Sequence, residues 1–272
     1  DIDLNAPSSR SEDENAIIPQ YDQASVLESY NRFHFREGTI QGVGNFPAAC
    51  ADVCLGACAR FGVNTRLALD AGCGPGRLAI DLASKFDQVL AYDLAEGFVD
   101  MLQKSPTKPV NVTGFVGNAQ SVHTLPPVVD KRFDLIVGAN LVDRIPDPRE
   151  WLRASAALLQ EGGLLVVFTP FTWLRDCSED DKWFGGVRRD AEVVWSLNGA
   201  IECAGSAEPS LQLMKTPFHV PFVIPDADGT FQYTYSQCMI FGRAPFVKEG
   251  VAMGMAVAPD SAANFASPYG TE

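Results

Sequence analysis

The sequence predicts a doubly wound α/β domain whose parallel sheet is closed by an antiparallel strand pair. Three observations carry this. Apolar runs of strand length alternate with helix-length segments in which apolar residues recur at three and four. The runs are continuous in Val, Ile and Leu instead of alternating with polar residues, as a sheet covered on both faces requires. A glycine-rich turn follows the first run, at the place where a strand hands over to a crossover helix.

Taken in order, LALDAG (67–72) is the first strand and RLAIDLASKF (77–86) the helix after it. QVLAYD (88–93) is the second strand and EGFVDMLQKS (96–105) its helix. NVTGFVG (111–117) and FDLIVGAN (133–140) are the third and fourth strands. A helix over DPREWLRASAALLQEG (147–162) leads into the fifth strand, GLLVVFTP (163–170). Beyond these, PFHVPFVI (217–224), the turn segment PDADGT and FQYTYSQCMIFGR (231–243) read as a hairpin. Residues 1–20 are acidic and serine-rich and are expected to be disordered or to form an arm. Residues 21–244 are expected to form a single domain with an N-terminal helical lid, and the Gly/Ala/Ser/Pro segment 245–272 a flexible tail.

At 272 residues, with 46% hydrophobic and 20% charged side chains, the chain has material for one substantial core. A net charge of −13 and a pI near 4.6 work against binding a phosphate backbone, so no nucleic acid is expected as partner. No window approaches the ~20 uncharged apolar residues of a bilayer span, and the N-terminus lacks a basic-then-apolar signal. The expectation is a cytoplasmic protein, away from membranes, that acts on a small molecule. Seven cysteines, an odd number without tight spacing, suggest free thiols. Cys50, Cys54 and Cys58 share one helix face, but without a fourth ligand they read as packing residues, and no metal is expected.

The glycine loop, DAGCGPGR, has the spacing GxGxG, with Arg77 where a dinucleotide fingerprint would carry its third glycine. Asp70 stands two residues before Gly72, and Pro75 has no N–H to offer a phosphate. An acidic lip beside glycines that permit close backbone approach suits a cationic ligand such as S-adenosylmethionine, a sulfonium and ammonium without phosphate. Asp93, ending the second strand, is placed to accept from ribose hydroxyls. Asn118, in VGNAQ, is placed near an adenine edge. A nicotinamide dinucleotide remains the competing ligand.

With these residues in hand, the region 65–170 resembles the class I S-adenosylmethionine-dependent methyltransferases. The glycine motif, the acid after the second strand, and the blocks FDLIVGANLVDRIPDP and LLQEGGLLVVFTP occur in that order. The resemblance implies a seven-stranded Rossmann-like sheet, mostly parallel with a reversed last strand. It also implies S-adenosylmethionine, leaving as S-adenosylhomocysteine, bound at positions matching Asp70, Gly72, Gly74, Asp93 and Asn118. Cys73, Gly76, Arg77, Leu94, Ala119 and Asn140 complete the candidate cofactor set. Many members carry Asp where Asn118 stands, but an amide carbonyl can still accept from the adenine amino group.

Outside this core, YNRFHF (30–35), GVGNFPAACA (42–51), ANLVDRIPDP (139–148), PFTWLRDCSEDDKWFGG (170–186) and FQYTYSQCMIFGR look like the methyltransferase of ovothiol biosynthesis. That family methylates an imidazole nitrogen of 4-mercaptohistidine (5-thiohistidine) and includes fusions to an iron-dependent sulfoxide synthase, which the resemblance makes a possible partner. His34, His123 and His219 are far apart and form no iron-ligand set of their own.

Methyl transfer needs alignment more than a strong base, and an acceptor on the second ring nitrogen would fix the useful tautomer. The catalytic candidates are Asn140, Asp143, His34 and Tyr233. For the substrate they are Tyr30, Asn140, Asp143, Arg144, Trp173, Trp183 and Tyr235, with Arg144 or Arg175 as a fork for an amino acid carboxylate. Plainer roles compete. Asp143 can cap a helix or pair with Arg144, the tyrosines can pack the sheet, and His34 can be a packed helix residue. Another small amine, thiol or hydroxyl acceptor, or a catalytically silent cofactor-binding module, fits the same motifs.

Overall fold

The computed structural model describes residues 21–35, 43–189, 192–225 and 231–245. The arm expected over 1–20, nearly all of the expected tail and the hairpin turn at 226–230 lie outside the described residues. Two helices open the described chain: α1 (Ala24–Phe35) and α2 (Phe46–Phe61). Then come β1 (Leu67–Ala71), α3 (Arg77–Leu82), β2 (Gln88–Asp93), α4 (Glu96–Lys104), β3 (Val112–Val116) and β4 (Phe133–Ala139). After them run α5 (Pro148–Leu158), β5 (Leu159–Thr169), the short pair β6 (Val187–Arg189) and β7 (Glu192–Val194), and α6 (Ser196–Gly205). β8 (Leu211–Leu213), β9 (Phe218–Pro225) and β10 (Phe231–Arg243) close the fold.

The main sheet runs β3-β2-β1-β4-β5-β10-β8, with β9 also paired to β10. Strands β1 to β5 are parallel, and β10 is antiparallel to β5. The reversed strand is therefore present, but the sheet has eight strands where seven were implied. β9 pairs with the first part of β10 and β8 with its end, both on the side away from β5. The outermost position is thus one line of strand interrupted between Leu213 and Phe218.

Side chains alternate across the sheet. Ala68, Val89, Ala91, Leu135, Val137, Leu164 and Val166 face a core shared with α2 and α3. Leu69, Leu90, Tyr92, Ile136, Leu165 and Val167 face the other, under α5 and α6. This is why their runs read as unbroken apolar sequence. Cys50, Cys54 and Cys58 are buried on the sheet side of α2 as packing groups. Among the described residues no group of three or more His, Cys, Asp or Glu could hold a metal ion, and no helix is long and apolar enough to cross a membrane.

One boundary differs from the sequence reading. The helix expected to 162 ends at Leu158, and Leu159 already pairs with Phe133. The register then jumps to Leu135 opposite Leu164, so the intervening residues bulge. Gly163 is confined there by the carbonyls of Gln160 and Phe133, each 2.9 Å from where a β-carbon would stand. The EGG segment is a strand bulge and not a helix end.

The two opening helices are joined by a side chain. Asn45 caps α2 by accepting from Ala48 N–H at 3.0 Å, while its amide donates to the carbonyls of His34 (2.8 Å) and Phe33 (3.3 Å). The cap therefore also fixes the end of α1 over the carboxyl edge of the sheet.

Candidate active site

Parallel strands that start in register end in register, so the loops after β1 to β4 crowd onto one edge. Ala71 pairs with both Tyr92 and Gly138, and Asp93 with Val116. A cavity of about 710 Å³ opens along this edge, with the strand ends below and residues of α1 above.

The glycine loop forms its floor. Gly72 and Gly74 have φ of 68° and 51°, the left-handed region that side chains rarely tolerate. A β-carbon at Gly72 would meet Leu141 at 2.8 Å, and one at Gly74 would meet His34 Nε2 at 3.0 Å. Cys73 lines the cavity between them, with its N–H donating to Tyr92 O at 2.9 Å. Gly76 and Arg77, expected with the cofactor, do not line the cavity. Gly76 is packed against Leu102, and Arg77 is held by Asp81 at 2.7 Å on the next turn of α3.

Asp70 is 1% exposed, and its Oδ2 has no hydrogen-bond partner among the described residues. Burial raises its carboxyl to about 7, against a backbone N–H of Ala79 that lowers it, and nearby Asp93 raises it further. An unpartnered carboxyl oxygen at a cavity wall is the group a cation would satisfy. Asp93, at the end of β2, accepts from Gly74 N–H at 2.8 Å and from Ala95 N–H at 3.0 Å. It ties the first loop to the second. Burial pushes its pKa up while the backbone donors of Ala95, Gly74 and Leu94 pull it down. Leu94, Asn118 and Ala119 also line the cavity, and Asn118 Oδ1 accepts from Gln120 N–H at 2.8 Å.

The other half of the cavity is built by the loop after β4. Asn140 has φ 54°, unusual for a residue with a side chain, and its Oδ1 accepts from the buried Ser236 hydroxyl of β10 at 2.5 Å. Asp143 and Arg144 follow in a single 3₁₀ turn. Asp143 is 1% exposed, and its Oδ2 accepts from Arg144 Nη1 (2.8 Å), Thr172 N–H (3.1 Å) and the Thr172 hydroxyl (2.8 Å). Its Oδ1, equally buried, has no partner among the described residues. Arg144 also donates to the Thr172 carbonyl and hydroxyl, at 2.8 and 2.9 Å, so most of its fork is spent on this clamp.

Aromatic rings cover the opening. Tyr30 lies 4.9 Å from Phe98 and 6.2 Å, edge-on, from Tyr21. Burial raises both phenols, with the charges of Asp93, Arg144 and Asp143 felt at each. His34 is buried against Gly74, and burial, then Arg77, lowers its pKa to about 3. Its neutral form is favoured by that burial.

The structure separates the remaining candidates from the cavity. Tyr233 and Tyr235 are 60% and 50% exposed, whereas Gln232 and Thr234 line the wall. Alternation along β10 gives the inward face to 232, 234 and Ser236, so the tyrosines are one residue out of step. Trp173 and Trp183 stack on one another at 5.6 Å and donate to Ser196 Oγ and Ser178 O, holding the segment after β5 together. Arg175 pairs with Asp180 on the surface. Sequence reasoning missed Tyr21, Leu141, Thr172 and Gln232, which all border the cavity, and Ser236, which orients Asn140. Only the period of two in β10 could have signalled the last two.

Four buried side-chain polar atoms lack partners among the described residues, and three of them, on His34, Asp70 and Asp143, belong to residues lining this cavity. Such atoms are costly in a folded protein, and each calls for a physical reason.

Residues 68–163 match the methyltransferase domain family. The match runs from β1 into β5 and covers less than half of the chain. The chain is 36% identical over 114 residues to a ubiquinone biosynthesis O-methyltransferase of Xanthomonas euvesicatoria pv. vesicatoria (strain 85-10), covering 39% of this chain and 46% of that protein. The enzyme of the same name from Coxiella burnetii (strain Dugway 5J108-111) is 30% identical over 102 residues, covering 37% and 42%. The chain thus spans less than half the length of these curated relatives. Among solved structures, the magnesium protoporphyrin IX methyltransferase of Synechocystis PCC 6803 with bound S-adenosylmethionine superposes with a TM-score of 0.56. That match has 13% identity and covers 88% of this chain and all of that one. The N-methyltransferase NodS of Bradyrhizobium japonicum WM9, in complex with S-adenosylhomocysteine, gives 0.51 at 14% identity over 80% of this chain and 97% of that one. Both of these solved structures hold S-adenosylmethionine or its product, S-adenosylhomocysteine. The unpartnered Asp70 Oδ2 and the Asp93 carboxylate at this edge fit the ammonium and ribose of S-adenosylmethionine.

Proposed function

We propose that this protein is a small-molecule N-methyltransferase that methylates an imidazole nitrogen of 4-mercaptohistidine. S-adenosylmethionine, held by Asp70, the Gly72–Gly74 backbone, Asp93 and Asn118, would supply an electrophilic methyl group on sulfur. The observation that carries the reading is one continuous cavity with a carboxylate-lined cofactor edge at one end and a polar turn under aromatic rings at the other. Support for a histidine derivative comes from the segments that resemble the ovothiol enzymes. YNRFHF contributes Tyr30 and His34 to the cavity, and ANLVDRIPDP contributes Asn140, Asp143 and Arg144. In this reading the thiol-bearing substrate is supplied by an iron-dependent sulfoxide synthase, either fused to this chain or separate.

The chain's own part is positional. Tyr30 and Phe98 offer flat faces to a ring, Asn140 presents an amide oriented by Ser236, and the aromatic rings reduce water access. Incubation with S-adenosylmethionine and 4-mercaptohistidine, histidine, a primary amine or a catechol, with S-adenosylhomocysteine release followed, tests the reading. Turnover of the mercaptohistidine well above the others is expected. Preference for the catechol would replace it with the O-methyl chemistry named for the curated relatives. Cofactor binding without turnover of any acceptor would leave a silent binding module.

A further inference from the structure

We infer that Asp143 Oδ1 receives the N–H of the acceptor's ring, so that the site selects a neutral azole presenting an N–H on one nitrogen and a lone pair on the other. This rests on the methyltransferase reading above and adds to it the contact that chooses the acceptor.

The two oxygens of the Asp143 carboxylate are unequally partnered. Oδ2 of Asp143 takes three donors, from the Arg144 guanidinium and from the backbone and hydroxyl of Thr172. Oδ1 takes none among the described residues, although the side chain is 1% exposed and lines the cavity. A carboxylate oxygen accepts and never donates, so its missing partner is an N–H or O–H. Arg144, 2.8 Å from Oδ2, already balances the charge, so a neutral donor suffices and a second full cation is not required.

The surroundings narrow the donor further. Tyr21, Tyr30 and Phe98 stand close together and line the same cavity as Asp143, so the cavity that holds the carboxylate also offers faces to a flat apolar body. A planar ring with a single N–H on its edge matches both features. A phenol would also donate, but the oxygen it donates from is the atom that must attack. With an azole the two tasks fall on different atoms. Holding one ring nitrogen as N–H fixes the tautomer and leaves the opposite lone pair free.

The balance of the step follows. The free ring nitrogen forms the N–CH3 bond with its lone pair, the S–CH3 bond breaks, and that electron pair stays on sulfur. The positive charge passes from sulfur to the ring, whose N–H now donates more strongly to Asp143 Oδ1. The surplus proton is lost to water once the product leaves. Asp143 thus stabilises charge that grows during the reaction, which acts on kcat as well as on KM.

The test compares wild type and Asp143→Asn in the full chain, with S-adenosylhomocysteine affinity by calorimetry and steady-state kinetics on 4-mercaptohistidine. It adds an analogue methylated on the ring nitrogen that must keep its N–H. The expected result is S-adenosylhomocysteine affinity within about twofold of wild type, with kcat/KM on the azole falling by roughly 100-fold, the scale of a lost charged hydrogen bond. Wild type should discriminate against the methylated analogue by a similar factor, and Asp143→Asn should not. Turnover by Asp143→Asn within a few-fold of wild type overturns the proposal. So does a collapse of cofactor affinity with folding intact, because Oδ1 would then belong to the cofactor. Should Asp143→Asn not fold, the wild-type comparison alone decides, and equal turnover of both azoles overturns the proposal. Failure of wild type to bind S-adenosylhomocysteine removes the methyltransferase reading as well. Binding with no azole preference removes this inference alone.

Discussion

The two ends of the cavity are built by different means. The cofactor end is short-range: Asp70, Gly72 and Gly74 fall within five consecutive residues, and Asp93, Asn118 and Ala119 follow at the ends of the next two strands. Much of its hydrogen bonding is through backbone, and one carboxylate braces two loops. The acceptor end is assembled from α1, the loop after β4, Thr172 and the inward face of β10. Its key bonds, Ser236 to Asn140 and Thr172 to Asp143, join residues 96 and 29 positions apart. One end is shaped by a local motif, and the other by long-range packing.

The sharpest way to break the first end is Gly72→Val. A branched side chain at φ 68° adds about 1–3 kcal/mol of backbone strain, and its contact with Leu141 adds a further cost of about 1–3 kcal/mol. Loss of S-adenosylhomocysteine binding together with a lower urea midpoint is expected, and wild-type affinity would show that the loop carries no ligand. Next in size, Asp93→Ala should weaken cofactor binding by ~1–3 kcal/mol, since it removes both a charged acceptor and the brace on Gly74. Calorimetry checks this, and unchanged affinity would place the ribose elsewhere.

A third prediction uses protons. Asp70 has a pKa raised to about 7 in the free protein, so below that pH it is mostly neutral and a poor partner for an ammonium group. Cofactor affinity should therefore rise with pH towards 7, by up to about tenfold per unit, and level off above it. The folded state holds this proton more tightly than the unfolded chain does. The free protein therefore loses the corresponding stability as pH rises from about 3.9 to 7. Asp70→Asn should flatten the pH dependence of binding, and a persistent slope would assign the titration to another group. The smallest effect is expected at the second end, where Tyr233→Ala and Tyr235→Ala should change acceptor KM by less than about twofold, because both rings face away from the cavity. A tenfold change in KM would restore them to the acceptor site.

These expectations follow how legible each region is in sequence. The five strands from 67 to 170 were readable because burial on both faces leaves unbroken apolar runs. The loop from Asp70 to Gly74 was readable because its constraint is local: tight turns and close approach demand glycine at fixed positions. The helix expected to 162 was misread because the apolar rhythm of α5 continues through Leu158 and Leu159, while a bulge against Phe133 starts the strand. The acceptor candidates divide by whether they line the cavity. Asn140, Asp143 and Arg144 follow directly from the motif strand β4, whereas Tyr233, Tyr235, Trp173 and Trp183 were chosen by residue type and proved to face surface or packing.

By itself the sequence determined the α/β class, the place of the glycine loop, and the two acids, Asp70 and Asp93, that line the cavity beside it, because periodicity and glycine spacing report on backbone geometry within one strand–turn–helix unit. Only the tertiary structure decided which face of β10 looks inward, that Asn45 fixes His34 against Gly74, and that Asp143 keeps one oxygen unpartnered. Those facts depend on register and on contacts between distant segments, and a one-residue slip in either would exchange every inward side chain for its neighbour.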